Sequence, residues 1–367
     1  MTVLRAPLRS PLRSPLYGPL AGKYGNAALA LLRGEQGFAI SVPDDAVAVV
    51  DNATPANNFI GTMAAALARG ILVYSSPSTK YVRNASGLWV AGTALRCHYS
   101  TAGVPLGILA EPQRTNRLLN SASLATQSVT VSATAYTMSF EGTGTVTLSG
   151  ASTAGPLVGT GATDRVSLTF TPSAGSLTLT VSGTVNYANL EAGLFRTSPI
   201  VTAGSQVTRN SDNLYVDLTK IPFSATVGTA IATAQPSPDT NTNNFGLVQF
   251  DDGTANNRLV MTNGTAGEKR ARQIVLNGGS VTANIVSAAN AAAPRYKQAM
   301  AWATNDIEMV VNGTTHTIDT SCAVPAGLAY MRIGRTTIDS TEWAAPIESI
   351  VYIPERLSRA DMIARTS

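Results

Sequence analysis

Arg165-Val-Ser-Leu-Thr-Phe170 and Leu177-Thr-Leu-Thr-Val181 alternate apolar and polar residues along their whole lengths, and a turn containing Gly175 separates them. A period of two puts one face of each strand on a core and the other in water. The same alternation runs through Ser128-Val-Thr-Val131, Thr137-Met-Ser-Phe140 and Thr145-Val-Thr-Leu148. Gly142, Gly150, Gly159 and Gly183 fall between these runs. Short strands at this spacing predict a small antiparallel β-sandwich over residues 106–212.

A second strand set follows Asn213. Its strands are expected at Asn213–Leu218, Gly228–Ala234, Phe245–Phe250, Asn257–Thr262, Arg272–Leu276, Val281–Ser287, Lys297–Ala303, Asp306–Val311, Thr314–Asp319, Ala329–Gly334 and Pro346–Tyr352. Asn312-Gly313 joins two of them as a type I′ hairpin. A short helix closes the chain, with Ser358 as its cap and Asp361 three residues on. This predicts a second sandwich, of jelly-roll type, over 213–367. Residues 26–105 read as a mixed region. Asn26–Arg33 and Thr62–Arg69 are expected as short helices stopped by Gly34 and Gly70, and strands follow between Ile71 and Tyr99. The fold class is therefore mainly β.

Residues 1–25 are different. Pro7, Pro11, Pro15 and Pro19 recur every four residues, each followed by leucine. Proline at that spacing removes helix hydrogen bonds throughout, so the segment reads as an extended arm near polyproline II. Such an arm cannot bury its own leucines. Leu8, Arg9, Leu12, Arg13, Leu16 and Leu20 are the residues expected to anchor it to another chain, the alternative being a disordered tail.

Charged residues make up 13% of the 367, against a usual share of roughly 25%. Ser, Thr, Asn and Gly must supply solubility instead. The net charge is +4, and Arg5, Arg9, Arg13, Lys23 and Arg33 all precede the first acid, Glu35. Prolines and leucines separate these charges, and no basic cluster with stacking aromatics follows, so nucleic acid is not an expected partner. Cys97 and Cys322 are too far apart in sequence for a C-x-x-C site and are expected as unpaired thiols. No run approaches the ~18 apolar residues of a membrane span, and the N-terminus lacks a signal-peptide pattern. Synthesis in a cytoplasm is expected.

The stretch Tyr74–Asn120 resembles a segment common in phage and prophage virion proteins, which carry a "GLLIEPQRTNLLLNS" signature matched here by Gly107–Ser121. In those proteins a small sandwich follows and closes on "QLEAGxFxTSYIPT…VTRxxD". Asn189–Thr202 and Val207–Asp212 are similar to that motif, with Ser198-Pro199 replacing Ser-Tyr. The last 150 residues resemble concanavalin A-like (laminin G-like) lectin sandwiches, through Ile307–Gly313 and the ending Ile347–Ser358. The Arg-Ser-Pro-Leu repeat is similar to arms on phage-like or gene-transfer-agent-like fibre and spike proteins. The resemblance implies a virion head spike or fibre subunit on the particle surface. Its arm would hold capsid, portal-proximal or adaptor proteins. It would form a homotrimer, or a pentamer at a vertex, and its β-domains would attach to host surface polysaccharide. The alternatives are a capsid decoration or tail component without glycan binding, and a capsule polysaccharide depolymerase.

No catalytic residues are expected. His98 and His316 stand in strand-like contexts without a nucleophile motif such as G-x-S-x-G, and the only adjacent acidic pair, Asp251-Asp252, precedes Gly253 as in a turn. No cofactor is expected apart from calcium, for which Asp251, Asp252, Asn256 and Asn257 are the candidate loop, the alternative being an ordinary polar turn. Trp343, beside Ser340-Thr-Glu, is the candidate for stacking on a sugar, or on a neighbouring subunit, whereas Trp89 and Trp302 read as core. Glu111, Arg114, Asn116 and Glu191 read as a structural junction in which Arg114 offers a two-pronged donor to Glu191.

Overall fold

Gly37-Phe-Ala-Ile-Ser41 and Ala46-Val-Ala-Val-Val50 carry no polar alternation, and every residue in both is buried. Strands of this kind belong in a sheet covered on both faces. A computed structural model describes residues 25–238, 245–265, 268–290, 295–338 and 341–367 and shows why. The two strands lie inside an antiparallel sheet ordered Thr314–Asp319, Asp306–Val311, Tyr296–Ala303, Gly228–Ala234, Pro346–Ile353, Gly37–Ser41, Ala46–Val50, Phe59–Gly61. Phe38, Ile40, Val47 and Val49 face a second sheet, while Ala39, Ala46 and Ala48 face two helices, Gly25–Leu32 and Arg359–Thr366. Large side chains fill the inter-sheet core and small ones let the helices approach closely.

The second sheet runs Ser280–Asn290, Glu268–Asn277, Arg258–Thr265, Phe245–Asp251, Tyr330–Ile333, Asn213–Asp217, Leu72–Ser75. Between the sheets, Phe250, Trp302 and Tyr352 pack with ring centroids 5.2–6.0 Å apart. Two glutamines cross the gap in opposite directions: Gln273 donates to the Ala299 carbonyl (2.8 Å) and Gln298 to the Arg272 carbonyl (3.2 Å). Each buried amide thereby meets a backbone acceptor in the opposite sheet.

This layout corrects the expected division of the chain. Residues 26–105 are not a separate region. Phe38 pairs with Tyr352 and Ile40 with Ile350, so residues 25–75 and 213–367 build most of one large sandwich, whose first sheet also takes in Pro105–Leu109 beside Pro346–Ile347. Residues 76–212 are an insertion into it. Ser75 pairs with Asn213, so the insertion leaves and re-enters the large sandwich at adjacent positions. Within it, Gln127–Val131, Gly175–Ser182, Thr145–Gly150 and Leu157–Val158 form one sheet, and Gly161–Phe170, Tyr136–Gly142 and Asn186–Ala192 the other. They close on Phe140, Leu148, Leu177 and Leu190. Val129, Val131, Val146 and Leu148 are buried between exposed or half-buried neighbours, as alternation predicts.

The helices start and stop where their caps are. Thr62 accepts from the Ala65 amide (3.2 Å) and Ser358 from the Asp361 amide (3.1 Å). Asn312 and Gly313 both have positive φ, as a type I′ turn requires. The two outer helices also cap each other. Arg365 donates to the Leu31 and Leu32 carbonyls, and Arg33 donates to the Ala364 carbonyl. Each guanidinium sits at a carbonyl-rich helix end, where a cation is favoured. Both cysteines are free, and no described helix is long and apolar enough to cross a membrane. The anchoring residues Leu8, Arg9, Leu12, Arg13, Leu16 and Leu20 lie outside the described residues.

Because Gly37–Ser41 is a central strand, residues 213–367 produced alone are expected to show no cooperative thermal unfolding. Fusing residues 25–75 ahead of them through a flexible linker is expected to restore it. A sharp transition in the shorter fragment would contradict the shared sheet.

Candidate functional site

The two motifs that flank the small sandwich meet in space. Strand Arg114–Asn116 pairs with Val207–Arg209, and this brings Glu111 to Arg209 and Asp212. The Glu111 carboxylate accepts from the Ser198 amide and hydroxyl (both 2.6 Å) and from Arg209 (3.0 Å). Asp212 accepts from the Glu111 amide (2.9 Å) and the Tyr74 hydroxyl (2.9 Å), and is ion-paired to Lys80. Lys80 also donates to the Leu109 carbonyl and stands 3.8 Å from Glu111. Two acids and two bases, all at most 5% exposed, therefore balance one another. Burial alone would raise the Asp212 carboxyl, but Lys80 and Arg209 outweigh it and hold it below the usual range. Beside this quartet, Asn116 bonds the Ala188 and Ile200 carbonyls and accepts from the Leu190 and Leu118 amides.

Glu111 and Asn116 thus sit in a structural junction, but the guanidinium that bonds Glu111 is Arg209, through one nitrogen while the other meets the Pro112 carbonyl, rather than Arg114. Arg114 instead lies over the Phe195 ring, 5.1 Å from its centroid. The Glu191 carboxylate is bonded by the Thr197 amide (2.8 Å) and hydroxyl (2.7 Å). Trp343 is a second correction. It is 0% exposed, donates to the Gln235 carbonyl (2.8 Å) and packs against Tyr296. Its polar neighbours Thr341 and Glu342, which suggested a solvent-facing loop, are buried as well. A ring with no exposed face offers no platform to a sugar. The calcium loop is the third. Asp251 is fully buried and held by Arg332 through both oxygens (2.7 and 3.0 Å). Asp252 accepts from the Thr254 amide and hydroxyl and from Asn257, a turn that consumes its oxygens. Asn257 also accepts from the Gly278 amide and Asn256 approaches Gly279, so both face a neighbouring turn. Among the described residues no group of three or more His, Cys, Asp or Glu could hold a metal.

A cleft of about 430 Å³ opens instead beside the junction. One wall is the hairpin of Lys80–Arg83 and Trp89–Gly92, in which Arg83 and Trp89 are cross-strand partners. The Arg83 guanidinium lies 4.4 Å from the Trp89 ring centroid, and the His98 ring stacks on that indole at 5.7 Å. Arg83 and the Trp89 Nε1 both donate to one oxygen of Glu141 (2.6 and 2.7 Å), which fixes the hairpin to the small sandwich. The hairpin turn is locked from outside. Gly87 has φ +73°, and a Cβ there would lie 2.2 Å from the Thr101 carbonyl oxygen. Arg165 and Arg196 also line it. Arg165 donates to the Tyr187 carbonyl (2.6 Å) and the Ser139 hydroxyl (2.9 Å), and burial lowers its pKa to about 10.

Trp89 was expected in the core, yet it is a half-buried cleft wall. Its alternation with Leu88 and Val90 suggested burial, but those two are 59% and 38% exposed because the hairpin has water on that side. Arg83, His98, Arg165 and Arg196 carried no motif. The usable signal was Arg83 and Trp89 flanking the Asn84–Leu88 turn, a spacing that makes them face each other. His316 lies on the outermost strand of the first sheet, away from the cleft.

Arg209→Met is expected to destabilise the protein by roughly 3–5 kcal/mol in urea unfolding, because it strands a buried carboxylate. The double change Arg209→Met with Glu111→Leu should cost clearly less than the sum of the singles. Additive losses would mean that the pair is not coupled. His98 gives a pH signature. Burial disfavours its charged ring and lowers its pKa from 6.5 to about 4. Its Nδ1 accepts from the Arg83 amide (3.1 Å), which protonation at that nitrogen would prevent. Between pH 6.5 and 4 the unfolded chain binds a proton that the folded chain does not, so stability falls as pH falls and levels off below 4. In His98→Gln that part of the slope should vanish, and identical slopes for the two proteins would refute it.

No protein-family model matches the chain, and no curated protein does. Among solved structures the chain is similar to the CBM40 of the Ruminococcus gnavus IT-sialidase bound to α2,3 sialyllactose, at 16% identity over 39% of this chain and 84% of that one, TM-score 0.34. It is similar to the leech intramolecular trans-sialidase complexed with 2,7-anhydro-Neu5Ac, at 15% identity over 39% and 23% of the two chains, TM-score 0.33. It is also similar to the binding domain of botulinum neurotoxin serotype D, at 10% identity over 42% and 40%, TM-score 0.33.

Proposed function

We propose that this chain is a surface subunit of a phage-like particle, a head spike or fibre component that holds the particle to host glycans and performs no chemistry on them. The observation that carries the reading is the cleft. Its aromatic and cationic side chains are fixed in place, while its buried carboxylates are already ion-paired. Most glycosidases use two carboxyl groups facing the scissile link. Of the acids lining the cleft, Glu111 is engaged by Arg209 and Ser198, which leaves Asp164 without a comparable partner. A preorganised lining in which one of two carboxylates is already ion-paired suits recognition better than turnover.

The virion assignment is supported by the resemblance of Gly107–Ser121 and Asn189–Asp212 to phage and prophage motifs. The structure gives those motif residues a physical task, since Glu111, Asn116 and Arg209 tie the motif segments to one another and Asp212 is bonded by Tyr74 of the large sandwich. In this reading the protein is made in the bacterial host's cytoplasm and displayed on the virion surface. Copies assemble as a closed homo-oligomer, with a trimer as the first candidate, and repeated weak contacts supply avidity. The Pro-Leu arm anchors each copy to a capsid or adaptor protein.

Deleting residues 1–24 is expected to leave the Tm unchanged and to remove the protein from purified particles, read by immunoblot against the major capsid band. Normal incorporation of the truncated chain would refute the anchor. Particles lacking the whole chain are expected to assemble and to lose host adsorption; undiminished adsorption would refute the attachment role.

A further inference from the structure

The charges in the cleft point to a more specific ligand. Arg83 is neutralised by Glu141 at 2.6 Å, and Glu111 by Arg209 at 3.0 Å. What remains is Arg165, Arg196 and Asp164, a net positive charge at the open side. Arg165 is held by neutral acceptors, a carbonyl and a hydroxyl, so its charge adds to the positive potential of the cleft. Arg196 is exposed, and its nearest opposing charge, Glu141, is already shared by Arg83 and Trp89. An exposed guanidinium beside a second one held only by neutral groups favours an anion. Trp89 and His98, stacked on each other, line the same cleft, and the electropositive edges of their rings favour an anionic group.

We infer that the cleft binds an acidic glycan, a sugar bearing a carboxylate, which the exposed Arg196 receives, with the charge of Arg165 adding to the attraction, while the ring packs toward Trp89. This rests on the glycan-attachment reading and narrows it to one place and one charge class. A guanidinium matches a planar carboxylate with two parallel hydrogen bonds, which a neutral hydroxyl cannot reproduce. The neutral state of His98 keeps a second positive charge off the indole at physiological pH, so the arginines alone set the sign of the site.

The test uses the full chain and four probes in titration calorimetry: sialyllactose, a hyaluronan hexasaccharide, a sulfated lactose and unmodified lactose. At least one carboxylated probe is expected to bind ten or more times more tightly than lactose, and to weaken several-fold between 50 and 500 mM salt. Arg196→Gln should reduce that binding about tenfold with an unchanged Tm, and Trp89→Phe should reduce it less. Arg165→Gln is the second variant, interpreted only where its Tm is preserved. Equal binding of lactose and the acidic probes, or acidic binding indifferent to Arg196→Gln, would overturn this inference and leave glycan attachment standing. A preference for the sulfated probe over both carboxylated ones would overturn the carboxylate assignment. Failure of the chain to bind any of the probes, or any sugar on a broad glycan array, would overturn the attachment reading itself.

Discussion

The buried quartet of Lys80, Glu111, Arg209 and Asp212 is the constraint on which the arrangement depends. It joins segments from the hairpin, the two motif strands and, through Tyr74, a strand of the large sandwich. Desolvating four charges is expensive, and their mutual attraction offsets this only when the groups are well met. Here Ser198 and backbone groups of Leu109, Glu111 and Pro112 take up most of the remaining donors and acceptors, the Arg209 Nε excepted. Apolar packing would hold two sandwiches together in many orientations. Charges with directional partners select one.

The cleft is a consequence of that selection. Its walls come from different elements: the Arg83–Trp89 hairpin, the His98 strand, and the Arg165 strand of the small sandwich. Glu141 bonds the hairpin to the sandwich, and Glu111 lines the cleft while serving the quartet. The site is therefore rigid for the same reason that the junction is. Side chains held this way lose little entropy when a ligand arrives.

The sequence revealed strands better than their company. Gly228–Ala234, Asp306–Val311 and Thr314–Asp319 were legible to the residue, because alternation, glycine turns and Asn312-Gly313 are local signals. Gly37–Ser41 and Ala46–Val50 were not placed, since strands buried on both faces lose the period that identifies them. Their pairing with Pro346–Ile353 has no local trace at all. At the junction, Glu111 and Asn116 stood out as a motif, but the choice of Arg209 over Arg114 depends on which way each side chain leaves its strand. Trp343 and Asp251 illustrate the same limit: polar neighbours suggested solvent, whereas the partners that bury them, Gln235 and Arg332, are about 80 to 110 residues away in sequence.

The pairing of Ile40 with Ile350 also sets an order of events during synthesis. Roughly 300 residues separate those strands, and ribosomes add about 5–20 residues per second, so the first waits on the order of 15–60 s for the second. The small sandwich, whose strands are all present once Ala192 has emerged, can close long before then. The hairpin Gly37–Val50 meanwhile has an uncovered apolar edge, the kind of surface that chaperones bind and that neighbouring nascent chains pair with. The strand Gly37–Ser41 must therefore remain unassociated until Pro346–Ile353 has left the ribosome.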